Sequence, residues 1–239
     1  MADPATKKIL QLSYYELKNG LAPETLRDIL EAEKIDLLTT RRIVLSNACK
    51  EMLLVPVHLF TQESARRFFS NQFGNTADTL FFDDVAEQSL VIVHAVPQAI
   101  IALLKSSYGT EITHWFSCKL KDHNGFGNPD CISVHFTGKE IYVIARKEEQ
   151  LKLVQTYFYT TPLDVVYYLL AICQQYGMPQ SETILLLSGL VSDDSAMYNE
   201  LYQYFSNVQF WKPATMALLQ SEYPHHYFSS MYNLGACVL

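Results

Sequence analysis

The sequence lacks the features that mark disulfide frameworks, secretion signals, membrane spans and nucleic-acid binding. Its five cysteines lie far apart, with no C-x-x-C pair, and an odd number argues against a disulfide framework and for a reducing compartment. No run of Lys and Arg exceeds two residues, and the net charge is −7, so no nucleic-acid footprint is visible. The N-terminus has no apolar leader, and no apolar run reaches the roughly 20 residues of a membrane-spanning helix. These absences predict a cytoplasmic protein without direct membrane insertion.

Catalytic and metal-binding motifs are also missing. GFGN at Gly125–Asn128 is not followed by the Lys and Ser or Thr of a P-loop, and no G-x-S-x-G elbow occurs. His225-His226 has no Cys or acid at ligand spacing, which indicates a surface turn. Asp83-Asp84 and Asp193-Asp194 are interpreted as strand-end and helix-capping acids. We therefore predict no catalytic residue, no metal and no cofactor; a Ser-His-Asp or Cys-His arrangement stays open, because its members meet only in space.

What the chain has in excess is aromatic side chains. It contains 15 tyrosines and 13 phenylalanines, and 49% of its 239 residues are hydrophobic. That composition is typical of a folded protein with a sizeable core. Because tyrosine keeps a polar hydroxyl end, clustered tyrosines fit either the core or a groove or interface with a partner.

The second half of the chain shows the clearest pattern. Three short strands come first, and a helix capped by Thr161 with Pro162 at its first position follows. A further strand, a helix capped within Ser192–Ser195, and a last strand complete the pattern. It predicts the order β-β-β-α-β-α-β, with EIYVIAR antiparallel to both CISVHF and LKLVQTYF and with TILLLSG parallel to CISVHF. In the first helix, the three- and four-residue spacing predicts that one stripe faces the sheet: Leu163, Val166, Leu170 and Cys173.

The first half has a similar content of strands and helices. The glycine- and asparagine-rich stretch Lys121–Asp130 predicts a loop between the halves. Helices are predicted after Pro23, from about Gln62 to Phe73, and from Pro97 to Gly109. The predicted strands are KILQLSYYEL, RRIVLSNA, EMLLVPVHLF, TLFFDDV, SLVIVHAVP and ITHWFS.

Three segments carry a family resemblance: Leu153–Phe210, Met52–Phe60 and Leu90–Leu104. They are similar to a bacterial family of unknown function that resembles actin-like ATPases of the PilM and FtsA type. The resemblance implies an α/β actin-like ATPase fold, with two ribonuclease H-like halves, mixed sheets flanked by helices, and a trimmed first half. It places the N-terminal half at residues 1–120, an inserted subdomain at about 61–96, and the C-terminal half at 131–239.

The departures from that family concern the nucleotide site. Each half of an actin-like ATPase opens with a glycine-rich hairpin that binds phosphate and an Asp that organises metal and water. Here the corresponding segment, Val134–Lys139, has one glycine and no acid, and the hairpin of the first half is missing. A ribonuclease H-type nuclease is disfavoured too, because CISVHF has no carboxylates for two metals. The residues left as candidates for a site in the cleft between the halves are His135, Thr137, Gly138, Lys139, Ser188 and Gly189.

Three functions remain in view from the sequence. The leading hypothesis is a pseudo-ATPase: a non-catalytic actin-like scaffold that binds a protein partner or associates with its own copy as a homo-oligomer. The alternatives are a regulatory protein that binds a nucleotide in the cleft and an enzyme of unrecognised chemistry. A pocket with converging polar groups would favour the alternatives, and a filled one would favour the scaffold.

Overall fold

The structure is a computed structural model. It describes residues 2–3, 8–9, 13, 15, 17, 22–36, 42–75, 77–104, 109–121, 130–213 and 222–238. Its contacts divide the chain into two units, the first formed mainly by residues 11–121 and the second by residues 122–237 together with 2–10. The boundaries of the halves and of the inserted subdomain given above stay predictions.

Twelve strands and seven α-helices are assigned within the described residues. The strands are β1 Ala2–Asp3, β2 Lys8–Ile9, β3 Ile43–Asn47, β4 Met52–Pro56, β5 Thr79–Val85, β6 Leu90–Val96, β7 Thr110–His114, β8 Asp130–Phe136, β9 Glu140–Lys147, β10 Gln150–Phe158, β11 Ile184–Gly189 and β12 Asn207–Phe210. The helices are α1 Pro23–Ala32, α2 Gln62–Phe73, α3 Gln98–Leu104, α4 Trp115–Lys121, α5 Pro162–Tyr176, α6 Ala196–Tyr204 and α7 Ser229–Val238. Short 3₁₀ turns lie at Val57–Leu59, Ala86–Gln88 and His225–Phe228.

The second unit contains one five-stranded sheet in the order β10-β9-β8-β11-β12. Strand β9 is antiparallel to both β8 and β10, and β11 is parallel to β8 and β12. This topology confirms the predicted β-β-β-α-β-α-β order and pairing. The core of the unit lies between the sheet and α5, where residues such as Ile132, Val143 and Leu185 are fully buried.

Helix α5 begins and ends where its sequence predicts. The Thr161 hydroxyl accepts a hydrogen bond from the Asp164 N–H at 3.3 Å, and the Asp164 carboxylate accepts one from the Thr161 N–H at 2.8 Å. This reciprocal pair satisfies free amides of the first turn. The helix stops at Gly177, whose φ of 61° is readily adopted by glycine.

The predicted inward face of α5 is partly wrong. The buried stripe consists of Val165, Val166, Leu169, Ile172 and Cys173, whereas Leu163 is 57% exposed. Leu170 is only partly buried. The helix is apolar on nearly every side, so spacing alone allows more than one stripe, and the direction of packing on the sheet selects among them.

The first unit contains a three-stranded antiparallel sheet in the order β4-β6-β5 and a parallel pair, β3 and β7. Helix α2 covers the three-stranded sheet with Ala65 and Phe69, which are both fully buried. Helix α3 packs near the parallel pair through Ile100, Ile101 and Leu104. Strand β4, which precedes the predicted inserted subdomain at about 61–96, belongs to the same sheet as β5 and β6.

Three predicted elements of the first half need correction. The strand predicted for ITHWFS ends at His114, and Trp115 starts the buried helix α4; a short apolar run fits a buried helix as well as a strand. EMLLVPVHLF leaves the sheet after Pro56. In KILQLSYYEL only Lys8–Ile9 is strand among its described residues, and Ser13, Tyr15 and Leu17 are not. The predicted helix end at residues 105–108 lies outside the described residues.

Candidate functional site

The carboxyl ends of β8 and β11 in the second unit bring together most of the predicted site residues. In α/β folds, ligands bind beyond the carboxyl ends of parallel strands. His135 lies opposite Ser188 in the register of the two strands, and Phe136 lies opposite Gly189. His135, Ser188 and Gly189 therefore meet at one edge of the sheet, and the turn Thr137-Gly138-Lys139 continues β8 toward β9.

His135 is the centre of this edge. The residue is 8% exposed, and its ring stacks on the Tyr142 ring at a centroid distance of 6.0 Å. Nδ1 lies 3.0 Å from Ser188 Oγ and 3.3 Å from Ser229 Oγ, and Nε2 lies 3.0 Å from Ser230 Oγ. We call His135, Ser188, Ser229 and Ser230 the His135 cluster. A hydroxyl can donate or accept, so the cluster satisfies either neutral tautomer of the imidazole.

The turn between β8 and β9 uses its polar groups internally. Thr137 Oγ1 donates to the Glu140 carbonyl at 3.0 Å and accepts from the Glu140 N–H at 3.2 Å. The Tyr159 hydroxyl donates to the Thr137 carbonyl, and the Tyr159 N–H donates to the Lys139 carbonyl. Gly138 faces open space, with no atom within 4 Å of where a Cβ would lie. The threonine hydroxyl therefore closes the turn.

Gly189 is held close to β8. A Cβ on Gly189 would lie 2.1 Å from the Phe136 carbonyl oxygen and 3.0 Å from His135 Cε1, and its φ is +78°. Only glycine combines this backbone angle with such an approach at low cost. The glycine serves the packing of one strand end against its neighbour.

Residues near the C-terminus cover this edge. His226 Nε2 lies 2.7 Å from the Val191 carbonyl, and its ring stacks on Phe210 at 4.3 Å. Ser229 and Ser230, in the first turn of α7, reach the His135 ring. His226 is 8% exposed, so the predicted surface turn at His225-His226 is wrong for His226. Burial lowers the pKa of His226, partly offset by its contact with the Val191 carbonyl.

The chemistry available at the His135 cluster is limited. Within the described residues, Ser230 and His135 form a Ser–His pair, and the other ring nitrogen contacts the hydroxyls of Ser188 and Ser229. A catalytic triad orients its base with a carboxylate at that nitrogen. No acidic residue occurs from Cys131 to Lys139. Across the described residues, no group of three or more His, Cys, Asp or Glu is placed to hold a metal ion.

The first unit contains a buried polar cluster that the sequence interpretation missed. Asp83 Oδ2 accepts hydrogen bonds from Thr113 Oγ1 at 2.8 Å, from the His114 N–H at 2.6 Å and from Ser117 Oγ at 2.5 Å. Asp83 Oδ1 lies 3.3 Å from His94 Nε2. Asp83 is thus a largely buried acceptor that joins β5, β6, β7 and α4. It lies near the end of β5, as interpreted from the sequence, but its carboxylate is bound by residues of three other elements. Asp84, beside it, is exposed.

The neighbours of this cluster fix its protonation. Burial raises the pKa of Asp83, but the His94 ring, the His114 N–H and Ser117 outweigh it, so the pKa lies below its ordinary value. Burial lowers the pKa of His114 to about 4. His114 Nε2 lies 3.0 Å from the Cys49 carbonyl, and His114 Nδ1 accepts from the Phe116 N–H at 3.2 Å. A second ring proton at Nδ1 would oppose that N–H, so the neutral ring is favoured.

The fold defines the class of protein as one with an actin-like ATPase fold. A Bacteroides thetaiotaomicron protein with this fold and unknown function matches with a TM-score of 0.80 at 19% identity, over 99% of this chain and 90% of that chain. The structure of a PilM-PilN type IV pilus biogenesis complex matches with a TM-score of 0.59 at 10% identity, over 90% of this chain and 84% of that chain. The predicted fold class is confirmed.

Within that class, the chain belongs to the family described as "Protein of unknown function (DUF3822)", whose model matches residues 1–208. The predicted family resemblance is therefore confirmed. None of the curated proteins matches the chain. Among the described residues, the helices are too short or too polar to cross a membrane.

Proposed function

We propose that this protein is a non-catalytic member of the actin-like fold that acts as a scaffold, binding a protein partner or a second copy of itself. The observation that carries the proposal is the packing of side chains at the carboxyl edge of β8 and β11 among the residues that the structure describes. His135 is packed against three serine hydroxyls there, and residues of α7 supply two of them. A phosphate-binding hairpin needs free amides and a nearby acid for metal. The turn after β8 has a single glycine, and its acid, Glu140, accepts a hydrogen bond from the Tyr142 hydroxyl at 3.2 Å.

The comparison structures support the partner-binding part of the proposal. The type IV pilus match is a PilM-PilN complex, so a protein of related fold is found assembled with another protein. For this chain, binding to a protein partner or to a second copy is stated only as a proposal. The low identity limits that likeness to the fold.

A hydrolysis assay tests the proposal directly. We expect no phosphate release above background from ATP and magnesium, because no group of three or more metal-ligating side chains is placed together within the described residues and the turn after β8 has only one glycine. A turnover of even ~0.01 per second, slow against typical enzymes, would contradict the proposal if Ser188→Ala abolished it. Calorimetric titration with ATP separates the nucleotide-binding alternative: saturable binding without turnover would favour a regulatory nucleotide protein instead.

A further inference from the structure

Strand β10 lies at one end of the five-stranded sheet among the strands that the structure describes. The Tyr159 N–H donates to the Lys139 carbonyl, so the backbone groups of Tyr159 point toward β9. In an antiparallel pair, successive residues direct these groups to opposite sides. Gln155, four residues earlier, therefore also bonds toward β9, whereas the N–H and C=O groups of Val154 and Thr156 point away from it. Strand β10 thus presents backbone donors and acceptors along the outer edge of the sheet.

Only the first part of this edge is protected against pairing. The register of β10 with β9 shifts between Leu151 and Leu153, and Lys152 lies at the shift. An irregular register and a lysine both discourage the pairing of an edge strand. From Leu153 to Phe158 the register is regular, and no residue from 153 to 163 is charged. Residues 153–158 are therefore the part of the edge that is suited to pairing with a further strand.

Exposed aromatic rings flank this edge on both faces of the sheet. Side chains alternate along a strand, so Tyr157 lies on the face covered by α5 and Phe158 lies on the other face. The Tyr157 and Tyr168 rings stack at a centroid distance of 4.5 Å, and Tyr168 contacts the Tyr167 ring at 5.7 Å. Tyr167 is 69% exposed and Phe158 is 54% exposed. Rings beside a strand edge enlarge the apolar surface that a paired strand would cover.

The sequence of β10 is complementary to its own copy running in the opposite direction. Two copies related by a twofold axis at Gln155 oppose residues of the same face. The opposed pairs are Gln155 with Gln155, Val154 with Thr156, and Leu153 with Tyr157. The two glutamine amides can donate to and accept from each other, and the outward N–H and C=O groups of Val154 meet those of Thr156 of the second copy. No like charges lie opposite each other in these pairs, so the strand does not repel its own copy.

We propose that β10 pairs antiparallel with β10 of a second copy, which joins two five-stranded sheets into one continuous sheet across a twofold axis at Gln155. This inference rests on the proposed scaffold function and selects a second copy as the occupant of the edge. Backbone hydrogen bonds between the two strands hold the dimer, as in other cases of strand addition to a sheet edge. The flanking rings of Tyr167 and Phe158 add apolar contacts on either face.

Charge substitutions at Gln155 test this pairing in the full-length protein. Gln155 is exposed, and at the twofold axis it lies opposite its own copy. In sedimentation velocity at about 1–100 μM protein, we expect the wild type to form dimers. Gln155→Lys and Gln155→Glu should each weaken dimerisation by about fivefold, because like charges then face each other. An equal mixture of the two variants should restore dimers, since each mixed pair opposes Lys to Glu.

Gln209 provides the matched control. It is an exposed glutamine on β12, the strand at the opposite end of the same sheet. Gln209→Lys and Gln209→Glu make the same charge changes there, and each should leave dimerisation within about twofold of the wild type. Circular dichroism spectra of all four variants should match that of the wild type, because both positions are exposed and the substitutions leave the fold intact.

Several results would overturn the pairing of β10 with its own copy. They are a wild type that stays monomeric over the whole concentration range, Gln155 variants that dimerise as the wild type does, and a mixture that does not restore dimers. Equal weakening by the Gln209 variants would also overturn it, because the contact would then not be specific to β10. ATP turnover in the hydrolysis assay removes the scaffold function whatever the sedimentation shows. A monomeric wild type removes only this interface and leaves the binding of a protein partner in place.

Discussion

At the residue scale, the same residue types play opposite roles depending on what surrounds them. Gly138 and Gly189 both lie near the carboxyl edge of β8, yet Gly138 has open space around it and Gly189 touches the Phe136 backbone. The sequence grouped both glycines as site candidates, since one glycine near a strand end resembles another. The two glycines differ in how closely the backbone of a strand distant in the sequence approaches them.

Replacing each of these glycines by alanine tests that distinction. Gly189→Ala should cost about 3 kcal/mol or more, because a Cβ meets a backbone oxygen and the positive φ strains the new residue. Gly138→Ala should stay within about 0.5 kcal/mol. Urea unfolding of both variants measures the difference, and equal midpoints would show that β11 does not approach β8 as closely as described.

His114 makes a pH prediction for the first unit. Its pKa is about 4 in the folded protein against 6.5 ordinarily, so the unfolded chain binds the proton first. Stability is therefore intact above pH 6.5 and decreases as the pH falls toward 4, by about 2 kcal/mol at pH 5. The lowered pKa of Asp83 affects stability only below the ordinary pKa of 3.8, which lies outside this pH range. Denaturant unfolding at pH 7 and pH 5 measures the loss.

The variant His114→Gln is the control for this effect. Glutamine keeps a donor and an acceptor but has no proton to gain in this range. Its unfolding free energy should change less between pH 7 and pH 5, by about the amount attributed to His114. If wild type and variant change equally, the ring of His114 is not held neutral by its surroundings.

At the scale of the element, α5 shows how a correct helix can have an incorrectly assigned face. Its cap, first proline and terminal glycine are all local signals, and they mark its ends within a residue. Its facing is not local, because residues such as Leu169 and Leu163 are equally apolar and differ only in what packs on them. The aromatic excess divides in the same way: Tyr168 stacks on Tyr157 at 4.5 Å, while Tyr167 points outward.

Alanine substitutions along α5 should distinguish its buried positions from its exposed ones. Leu169→Ala should destabilise the protein by about 2–5 kcal/mol, since the side chain is fully buried. Leu163→Ala should stay within about 0.5 kcal/mol, and Thr161→Ala should cost about 1 kcal/mol through the lost cap. Thermal melts rank the three variants. If Leu163→Ala lowers the stability as much as Leu169→Ala does, Leu163 faces the sheet, as its spacing predicts.

At the scale of the whole molecule, the acidic character is unevenly distributed. The net charge is −7, and the five acids between residues 153 and 211 face no basic residue within that stretch. The first unit contains acidic and basic residues side by side. In one exposed pair, Arg42 Nε lies 2.9 Å from Glu111 Oε1. An average charge would have hidden this difference.

The sequence by itself determined the order of elements in the second half, the cap of α5 and the family resemblance, because strand alternation, capping residues and turn glycines act over a few positions. It also named His135, Ser188 and Gly189 as candidates for a site in the cleft between the halves. Only the tertiary structure decided what these residues do. The serines that meet His135 come from positions 188, 229 and 230, and Asp83 collects donors from positions 113, 114 and 117. Such contacts depend on how distant segments pack, and no local pattern records them.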